Sequence, residues 1–294
     1  MVIDGYDGMA EGDGILMANF RADRVRQILT ALLDPGFDGF ARRRVPRFAA
    51  AVGMTAYSAA LDGFLDTVFP PVRLRQVLGE VVAAAGRTQL RIAETEKYPH
   101  VTFFLNGGQE HEFPGETRIL IPSPKVATYD LKPEMSAYQV TDRLVDEIAG
   151  GAFDLIVVNY ANTDMVGHSG DLAATIKAVE AVDCCLGRLD AAVRQAGGAL
   201  LITADHGNAE LMRDPATAER HTAHTLSPVP LVLVNGPASV TALADGRLAD
   251  VAPTVLELMR LARPAEMTGR SLLIETPGQE KDADHDAVAR HATA

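Results

Sequence analysis

Short apolar runs alternate with longer amphipathic stretches along most of the chain, a pattern typical of an α/β layer fold. Two of the short runs, 154–159 and 199–203, are apolar on both faces, as central parallel strands should be. Five further strands are predicted, at 14–20, 47–52, 89–93, 101–105 and 230–234. The pattern therefore predicts a mostly parallel sheet flanked by helices.

The clearest helix lies between the two strands that are apolar on both faces. Apolar residues recur there at spacings of three and four from Leu172 to Val193. Asp171 is placed to cap the start of this helix, and Gly197-Gly198 to end it. Two other helices are predicted at 136–149 and 250–261. The strand–helix–strand unit puts polar loops at the carboxyl ends of the strands, where α/β sheets bind ligands.

Composition along the chain predicts three segments. The sequence up to the Pro70-Pro71 pair is rich in arginine, and regular α/β alternation begins after it. A domain boundary is therefore expected between 1–71 and 72–274. Residues 275–294 are charged and alanine-rich without apolar periodicity, which predicts a disordered tail.

Charge and cysteine content exclude several classes of protein. The formal charge is −12, with 27 basic and 39 acidic residues, so nucleic acid is not expected as a partner. No apolar run approaches the ~18 residues of a membrane span, and no signal peptide is recognisable at the N-terminus. The two cysteines, Cys184 and Cys185, are neighbours in a helical pattern and are interpreted as buried thiols. Together these features predict a cytoplasmic protein.

Carboxylates and histidines gather where the predicted strands end. Asp164 and His168 follow the first strand that is apolar on both faces, Asp205-His206 follow the second, and His221 and His224 precede the strand at 230–234. Each alone could be structural, as a capping aspartate, a hydrogen-bonded pair or a surface histidine. Together they predict a site for Mn²⁺ or Zn²⁺, since the donors are carboxylate and imidazole without cysteine. Two such ions a few ångströms apart are the usual apparatus for displacement at phosphorus.

Three basic residues are candidates for binding an anion. Arg21 and Arg24 follow a predicted strand at the head of a helix, where guanidinium groups and the helix N-terminus favour phosphate. Lys97 is one cation among carboxylates. Ordinary surface ion pairs remain the alternative for all three.

Seven segments together resemble the cofactor-independent (2,3-bisphosphoglycerate-independent) phosphoglycerate mutases, which are relatives of the alkaline phosphatases. They are Asn19–Arg24, Ala93–Tyr98, Phe113–Glu116, Ile121–Val126, Asp164–Gly170, Thr203–Glu210 and His221–Thr225. The resemblance runs from near the start of the chain to about residue 273. It implies an alkaline-phosphatase-like sheet at 72–274, with 1–71 as the remnant of an inserted α/β substrate-binding domain.

The resemblance also implies roles for the site residues. Asp164, His168 and His224 would hold one Mn²⁺, and Asp205 and His206 would help to hold a second. His221 would not be a ligand. The basic residues Arg21, Arg24 and Lys97 would grip the phosphoglycerate. The implied reaction, a step of glycolysis, interconverts 3-phosphoglycerate and 2-phosphoglycerate through a phosphoserine on the enzyme.

The sequence departs from the family at its start. The family begins with a strand that ends in a metal-binding aspartate, followed by the serine nucleophile. Asp4 imitates that aspartate, but only two apolar residues lie between Met1 and it, too few for a buried strand. The serines at 58, 123 and 169 lie in other contexts. We therefore expect a C-terminal portion with one complete metal triad, part of the second site and no catalytic serine.

Three functions follow from that expectation. The first is a mutase that is inactive alone and is completed by a separately encoded N-terminal fragment. The second is a non-catalytic remnant that binds metal, and the third is a metal-dependent phosphatase that uses water in place of serine.

A sheet without its first strand exposes an edge, so the chain should aggregate or bind a partner. In the loop after 101–105, Gln109 and His111 stand where the family usually has arginine and glutamate. The sequence does not indicate what these two differences do.

Overall fold

The computed structural model describes residues 8–20, 22–70, 72 and 74–276. They form two compact units, one before residue 74 and one from residue 74 onward. The first unit has a parallel sheet in the order β1-β2-β3 and one helix. Its elements are β1 (Gly14–Met17), α1 (Ala22–Leu33), β2 (Ala50–Gly53) and β3 (Asp66–Thr67). Val25 and Leu29 of α1 are buried against Tyr57, Leu61 and Leu65.

The second unit carries the remaining elements. They are α2 (Leu78–Ala84), β4 (Gln89–Glu94), α3 (Tyr98–Val101), β5 (Glu116–Ile121), α4 (Ala137–Gly150), β6 (Leu155–Asn159), α5 (Asn162–Gly167), α6 (Leu172–Gln195), β7 (Leu200–Thr203), β8 (Leu231–Val234), β9 (Val240–Leu243), α7 (Val251–Leu258) and β10 (Leu273–Glu275). Strands β5, β4 and β6 form a parallel sheet in that order. Two antiparallel pairs, β7 with β8 and β9 with β10, complete the strands of this unit.

Helices pack on both faces of the parallel sheet. On one face, Val140 and Leu144 of α4 and Leu189 of α6 pack against Leu90 and Ile92 of β4. On the other face, residues of α2 and α7 pack together with Leu155 of β6. All six residues of β4 are buried because the strand lies between two strands and two helix layers. The predicted fold, a mostly parallel sheet flanked by helices, is confirmed.

Three predictions about the second unit are wrong. Of the two segments predicted as central parallel strands, β6 is paired on one side only among the described residues, and β7 pairs with β8 in an antiparallel pair. The segment 101–105 is not a strand: α3 and a turn occupy 98–105, and Pro99 stands in the first turn of α3, where proline suits a helix. The third parallel strand is instead β5, whose Arg118 interrupts the apolar pattern that would have predicted it. Cys185 is buried but Cys184 is exposed, since neighbours on a helix point about 100° apart.

The chain ends lie partly outside the described residues. Glu275, the first residue of the predicted tail, pairs in β10. Residues 277–294 and the candidate Asp4 lie outside the described part of the chain. No helix within residues 8–20, 22–70, 72 and 74–276 is long and apolar enough to cross a membrane.

Candidate metal centre

Two parallel strands bring the first polar residues of the site together. Ala93 of β4 pairs with Asn159 of β6, so both strands end at the same edge of the sheet. Lys97 follows the end of β4, and Asp164 lies in α5, which begins shortly after β6. The register of the sheet therefore brings Lys97 and Asp164 within hydrogen-bonding distance, although they are 67 residues apart in the sequence.

Asp164, His168 and His224 form a compact cluster of possible metal ligands. Asp164 Oδ1 lies 3.1 Å from His168 Nε2 and 3.0 Å from His224 Nε2. The two Nε2 atoms are themselves 3.0 Å apart. One ligand atom from each of the three residues lies within 4.8 Å of the others. Four-residue spacing puts Asp164 and His168 on one face of a helical turn, so this pair is on α5 and its C-terminal cap rather than on the loop we predicted.

The hydrogen bonds of His168 suit a metal ligand. Its Nδ1 lies 2.6 Å from the carbonyl oxygen of Thr222 and must donate to it. That tautomer leaves the lone pair on Nε2, which points into the cluster. Two imidazole nitrogens and a carboxylate oxygen about 3 Å apart are the donors that a divalent cation such as Mn²⁺ or Zn²⁺ takes in proteins. The residues present therefore fit a metal ion.

Lys97 lies against the same carboxylate. It is 7% exposed, and its Nζ donates to Asp164 Oδ2. Burial opposes ionisation of Asp164, but Lys97 and the two histidines together hold the pKa of Asp164 below its ordinary value. The aspartate is therefore ionised and ready to accept a cation at neutral pH.

Asp205 and His206 follow β7 and lie beside the cluster, not within it. The His206 ring stacks on the His224 ring with centroids 3.6 Å apart. Asp205 Oδ1 is 3.6 Å from His206 Nε2, and the Asp205 side chain is 59% exposed. A second carboxylate and imidazole are thus present next to the triad.

Comparisons with known proteins agree with this geometry. A protein-family model described as the metalloenzyme superfamily matches residues 19–263. The chain belongs to that superfamily. Its relatives include the 2,3-bisphosphoglycerate-independent phosphoglycerate mutases of Rhodopseudomonas palustris, 63% identical over 274 residues, and of Ruegeria pomeroyi, 59% identical over 272 residues. Each match covers 92% of this chain but only 53% and 54% of the respective relative, so the chain spans about half the length of these mutases.

A solved structure is similar over the same extent. The phosphoglycerate mutase of Leishmania mexicana, crystallised at low cobalt concentration, superposes with a TM-score of 0.70 and 33% identity. The match covers 91% of this chain and 52% of that one. The resemblance to the phosphoglycerate mutases stated from sequence motifs is confirmed, and metal dependence is expected of this member of the superfamily.

The remaining candidate residues are Arg21, Arg24 and His221. Arg24 lies in the first unit, where its Nη1 is 3.4 Å from Gln27 Oε1, and Arg21 lies outside the described residues. The backbone N–H of His221 donates to Met212 O, and its Nδ1 is buried without a partner among the described residues. Substrate binding by the arginines and the exclusion of His221 as a ligand stay predictions.

Three further residues hold the candidate ligands in place, and sequence reasoning did not single them out. Asn208 is buried and its Nδ2 donates to Asp164 Oδ1 over 3.2 Å. Glu210 accepts from the backbone N–H of Asn208 and from the hydroxyl of Thr225, beside His224. The Thr225 hydrogen bond is the main cause that lowers the pKa of Glu210 to about 2. All three lie in motifs that carried the resemblance, which was the available signal.

We predict that Gly167→Ala weakens both folding and the metal site. A Cβ at Gly167 would overlap the side-chain amide of Asn208, and this buried amide holds Asp164. Overpacking of this kind costs about 1–3 kcal/mol. Thermal melts with and without Mn²⁺ would measure the loss, and the stabilisation by Mn²⁺ should shrink as well.

Gly187→Ala is the matched control. Gly187 lies in the exposed middle of α6, and a Cβ there meets nothing within 4 Å. Alanine should stabilise this helix by roughly 0.5–1 kcal/mol. Equal behaviour of the two variants would contradict the contact between Gly167 and Asn208 as the cause.

Proposed function

We propose that this chain is the metal-binding portion of a phosphoglycerate mutase that interconverts 3-phosphoglycerate and 2-phosphoglycerate. The observation that carries the proposal is the convergence of Asp164, His168 and His224 on one point. The identity of about 60% to curated mutases over nearly the whole chain supports the substrate class. The two free cysteines fit a cytoplasmic setting.

Each residue of the centre has a proposed part. Asp164, His168 and His224 hold one Mn²⁺, and Asp205 and His206 supply part of a second site that other residues complete. When bound, such ions neutralise the charge on the phosphoryl oxygens during in-line displacement. Glu210 and Asn208 keep the loop of His224 and the carboxylate of Asp164 in place.

Lys97 is placed to contact the substrate. An ammonium group has three donors, and Asp164 takes one of them. The others remain for an oxygen of the phosphoryl group, whose growing charge a preorganised cation stabilises. Arg21 and Arg24 bind the same phosphoglycerate in this proposal, following the resemblance.

The 294-residue polypeptide alone should not turn over substrate. We expect the nucleophile and the rest of the second metal site to come from the part of the mutases that this chain does not match. The test is an enzyme-coupled assay of the purified chain with Mn²⁺ and 3-phosphoglycerate. Robust turnover by the chain alone would contradict the proposal, and Mn²⁺-dependent hydrolysis of p-nitrophenyl phosphate would favour a phosphatase instead.

We predict that Lys97→Met separates substrate binding from metal binding. Loss of a charge-assisted contact worth about 1.5–3 kcal/mol should weaken 3-phosphoglycerate binding at least about tenfold. Mn²⁺ should bind at least as tightly as before, because the variant removes a positive charge beside Asp164. Calorimetric titrations with Mn²⁺ first and 3-phosphoglycerate second would measure both.

Lys177→Met is the matched control, since Lys177 is exposed on α6. It should leave both affinities unchanged. If Lys97→Met bound 3-phosphoglycerate normally, the lysine would be a structural partner of Asp164 and not a substrate contact.

A further inference from the structure

The turn after β4 sets the position of Lys97. β4 ends at Glu94, residues 95–97 form the turn, and α3 begins at Tyr98. The backbone N–H of Lys97 donates to the carbonyl oxygen of Glu94 over 3.0 Å, which closes the turn. The Lys97 ammonium stands at the end of a side chain with many rotamers, so the turn must keep one conformation for Nζ to stay at Asp164.

Ser123 is bound to this turn at three points. It lies just after β5 and is half-buried. Its backbone N–H donates to Thr95 Oγ1 over 3.1 Å, and its hydroxyl donates to Glu94 Oε2 over 2.9 Å. The backbone N–H of Glu96 donates to the same hydroxyl over 3.4 Å. One serine therefore contacts the three consecutive residues that precede Lys97.

Glu94 is the buried partner of Ser123. It is 1% exposed, and its Oε1 accepts from the backbone N–H of Ser136 over 3.4 Å. Burial raises the pKa of Glu94, and the hydrogen bonds from Ser123 and Ser136 oppose that shift. A buried carboxyl group is costly without hydrogen bonds, so the hydroxyl of Ser123 stabilises Glu94 where it is. The side chain of Glu94 thereby ties the end of β4 to Ser123.

Glu96 links the turn to the helix of the metal ligand. The Tyr129 hydroxyl donates to Glu96 Oε1 over 2.6 Å. Burial and this hydrogen bond raise the pKa of Tyr129 to about 12, so the phenol stays a donor at neutral pH. Tyr129 and Met165 of α5 pack against the same apolar cluster. The residue that holds Glu96 therefore also packs near the helix that carries Asp164.

We propose that Ser123 is a positioning residue that fixes the turn after β4 and thereby the place of the Lys97 ammonium. It acts through the carboxylate of Glu94 and the backbone of Glu96. No hydrogen bond within the described part of the chain joins Ser123 to a candidate metal ligand. The inference rests on the proposed function only where it takes Lys97 as a contact of the substrate.

The first measurement is the rate at which acetic anhydride acetylates Lys97, followed by mass spectrometry of peptides. Lys97 is buried and should react slowly, and the exposed Lys177 serves as the internal reference. Ser123→Ala removes the hydroxyl that bridges Glu94 and Glu96. Acetylation of Lys97 relative to Lys177 should then rise at least about tenfold. Ser123→Thr keeps a hydroxyl and should restore the slow rate.

Thr254→Val separates positioning from a general loss of stability. Thr254 is buried in α7, and its hydroxyl also has two partners: it donates to Asp250 O over 2.7 Å and accepts from Leu272 N over 3.0 Å. This variant should lose at least as much stability in thermal melts as Ser123→Ala, while Lys97 reacts as slowly as in wild type. An unchanged rate in Ser123→Ala, an equal rise in Thr254→Val, or a fast rate that Ser123→Thr does not reverse would each overturn the inference.

Titration of the Mn²⁺-loaded chain with 3-phosphoglycerate keeps this inference apart from the proposed function. Ser123→Ala should bind 3-phosphoglycerate at least about threefold more weakly than wild type, because the loosened ammonium is in place for less of the time. Its affinity for Mn²⁺ should be unchanged. Faster acetylation of Lys97 with unchanged affinity for 3-phosphoglycerate would support the role of Ser123 and overturn the proposed part of Lys97 in substrate binding.

Discussion

Asp164→Asn should abolish Mn²⁺ binding by the chain, with a loss of affinity of at least about 100-fold. Asparagine keeps the size of the side chain but removes the anionic donor that lies about 3 Å from both imidazole nitrogens. Two histidines then remain beside the ammonium of Lys97 without an anionic donor, which is a poor site for a dication. Calorimetric titration with Mn²⁺ measures the loss directly.

A thermal melt gives an independent measure of the same loss. A ligand present at 100 times its Kd stabilises the folded state by about 2.7 kcal/mol, so wild type should melt at a higher temperature with Mn²⁺. Asp164→Asn should show no such shift. The metal-free melting temperature of the variant is the baseline, because Lys97 also loses its carboxylate partner.

His221→Gln is the matched control for the metal titration. His221 lies three residues before His224 in the same loop, but its side chain is not part of the cluster. The control should bind Mn²⁺ as wild type does. Normal binding by Asp164→Asn, or an equal loss in His221→Gln, would contradict the assignment of the triad.

The pattern of apolar residues predicted where the helices and strands lie better than it predicted which of their faces are buried. The helix predicted from Leu172 onward is present, and Asp171 caps it by accepting from the backbone N–H of Ala174. The large apolar residues at its start are exposed, however, and small ones such as Ala178 and Cys185 face the interior. Periodicity marks an apolar stripe but cannot say which neighbours are present to cover it.

The site was predictable to the extent that sheet topology could be inferred. The residues after β6 and β7 were expected to meet, and Asn208 after β7 does donate to Asp164 after β6, although β7 itself pairs antiparallel with β8. The contact of Lys97 with Asp164 was not predictable, because it depends on the register of β4 and β6 and on the turn after β4. The spacing of residues along the sequence indicates neither the register nor the turn.

The missed strand β5 shows a different limit. Its first residue is Glu116 and its third is Arg118, so its sequence does not have the apolar pattern of a buried strand. The charges are nevertheless inside the fold, where they compensate one another. Arg91 of the neighbouring strand is also fully buried, and burial lowers its pKa to about 10 although Glu116 opposes the shift. A buried charged network therefore stands where the pattern predicts exposure.

Glu116→Ala should be the most destabilising of the substitutions considered, at about 3–5 kcal/mol. The Glu116 side chain is fully buried and accepts from Arg118 Nε over 2.6 Å, from Asn106 Nδ2 over 3.1 Å and from Phe113 N over 3.2 Å. Alanine leaves these donors unpaired and removes the negative charge that faces Arg91. Nε and Nη1 of Arg91 already lack hydrogen-bond partners among the described residues. No other hydrogen bond of these two atoms therefore compensates for the loss of the Glu116 charge.

Urea denaturation and thermal melts would measure this effect, with an expected fall in melting temperature of about 10 °C. Glu112→Ala is the control, since it removes an exposed carboxylate four residues away and should change stability by less than about 0.5 kcal/mol. Glu116→Gln should fall between the two, because the amide keeps one acceptor oxygen and loses the charge. A Glu116→Ala protein within about 1 kcal/mol of wild type would mean that water replaces the carboxylate, and that the charges of β4 and β5 are less isolated than their burial indicates.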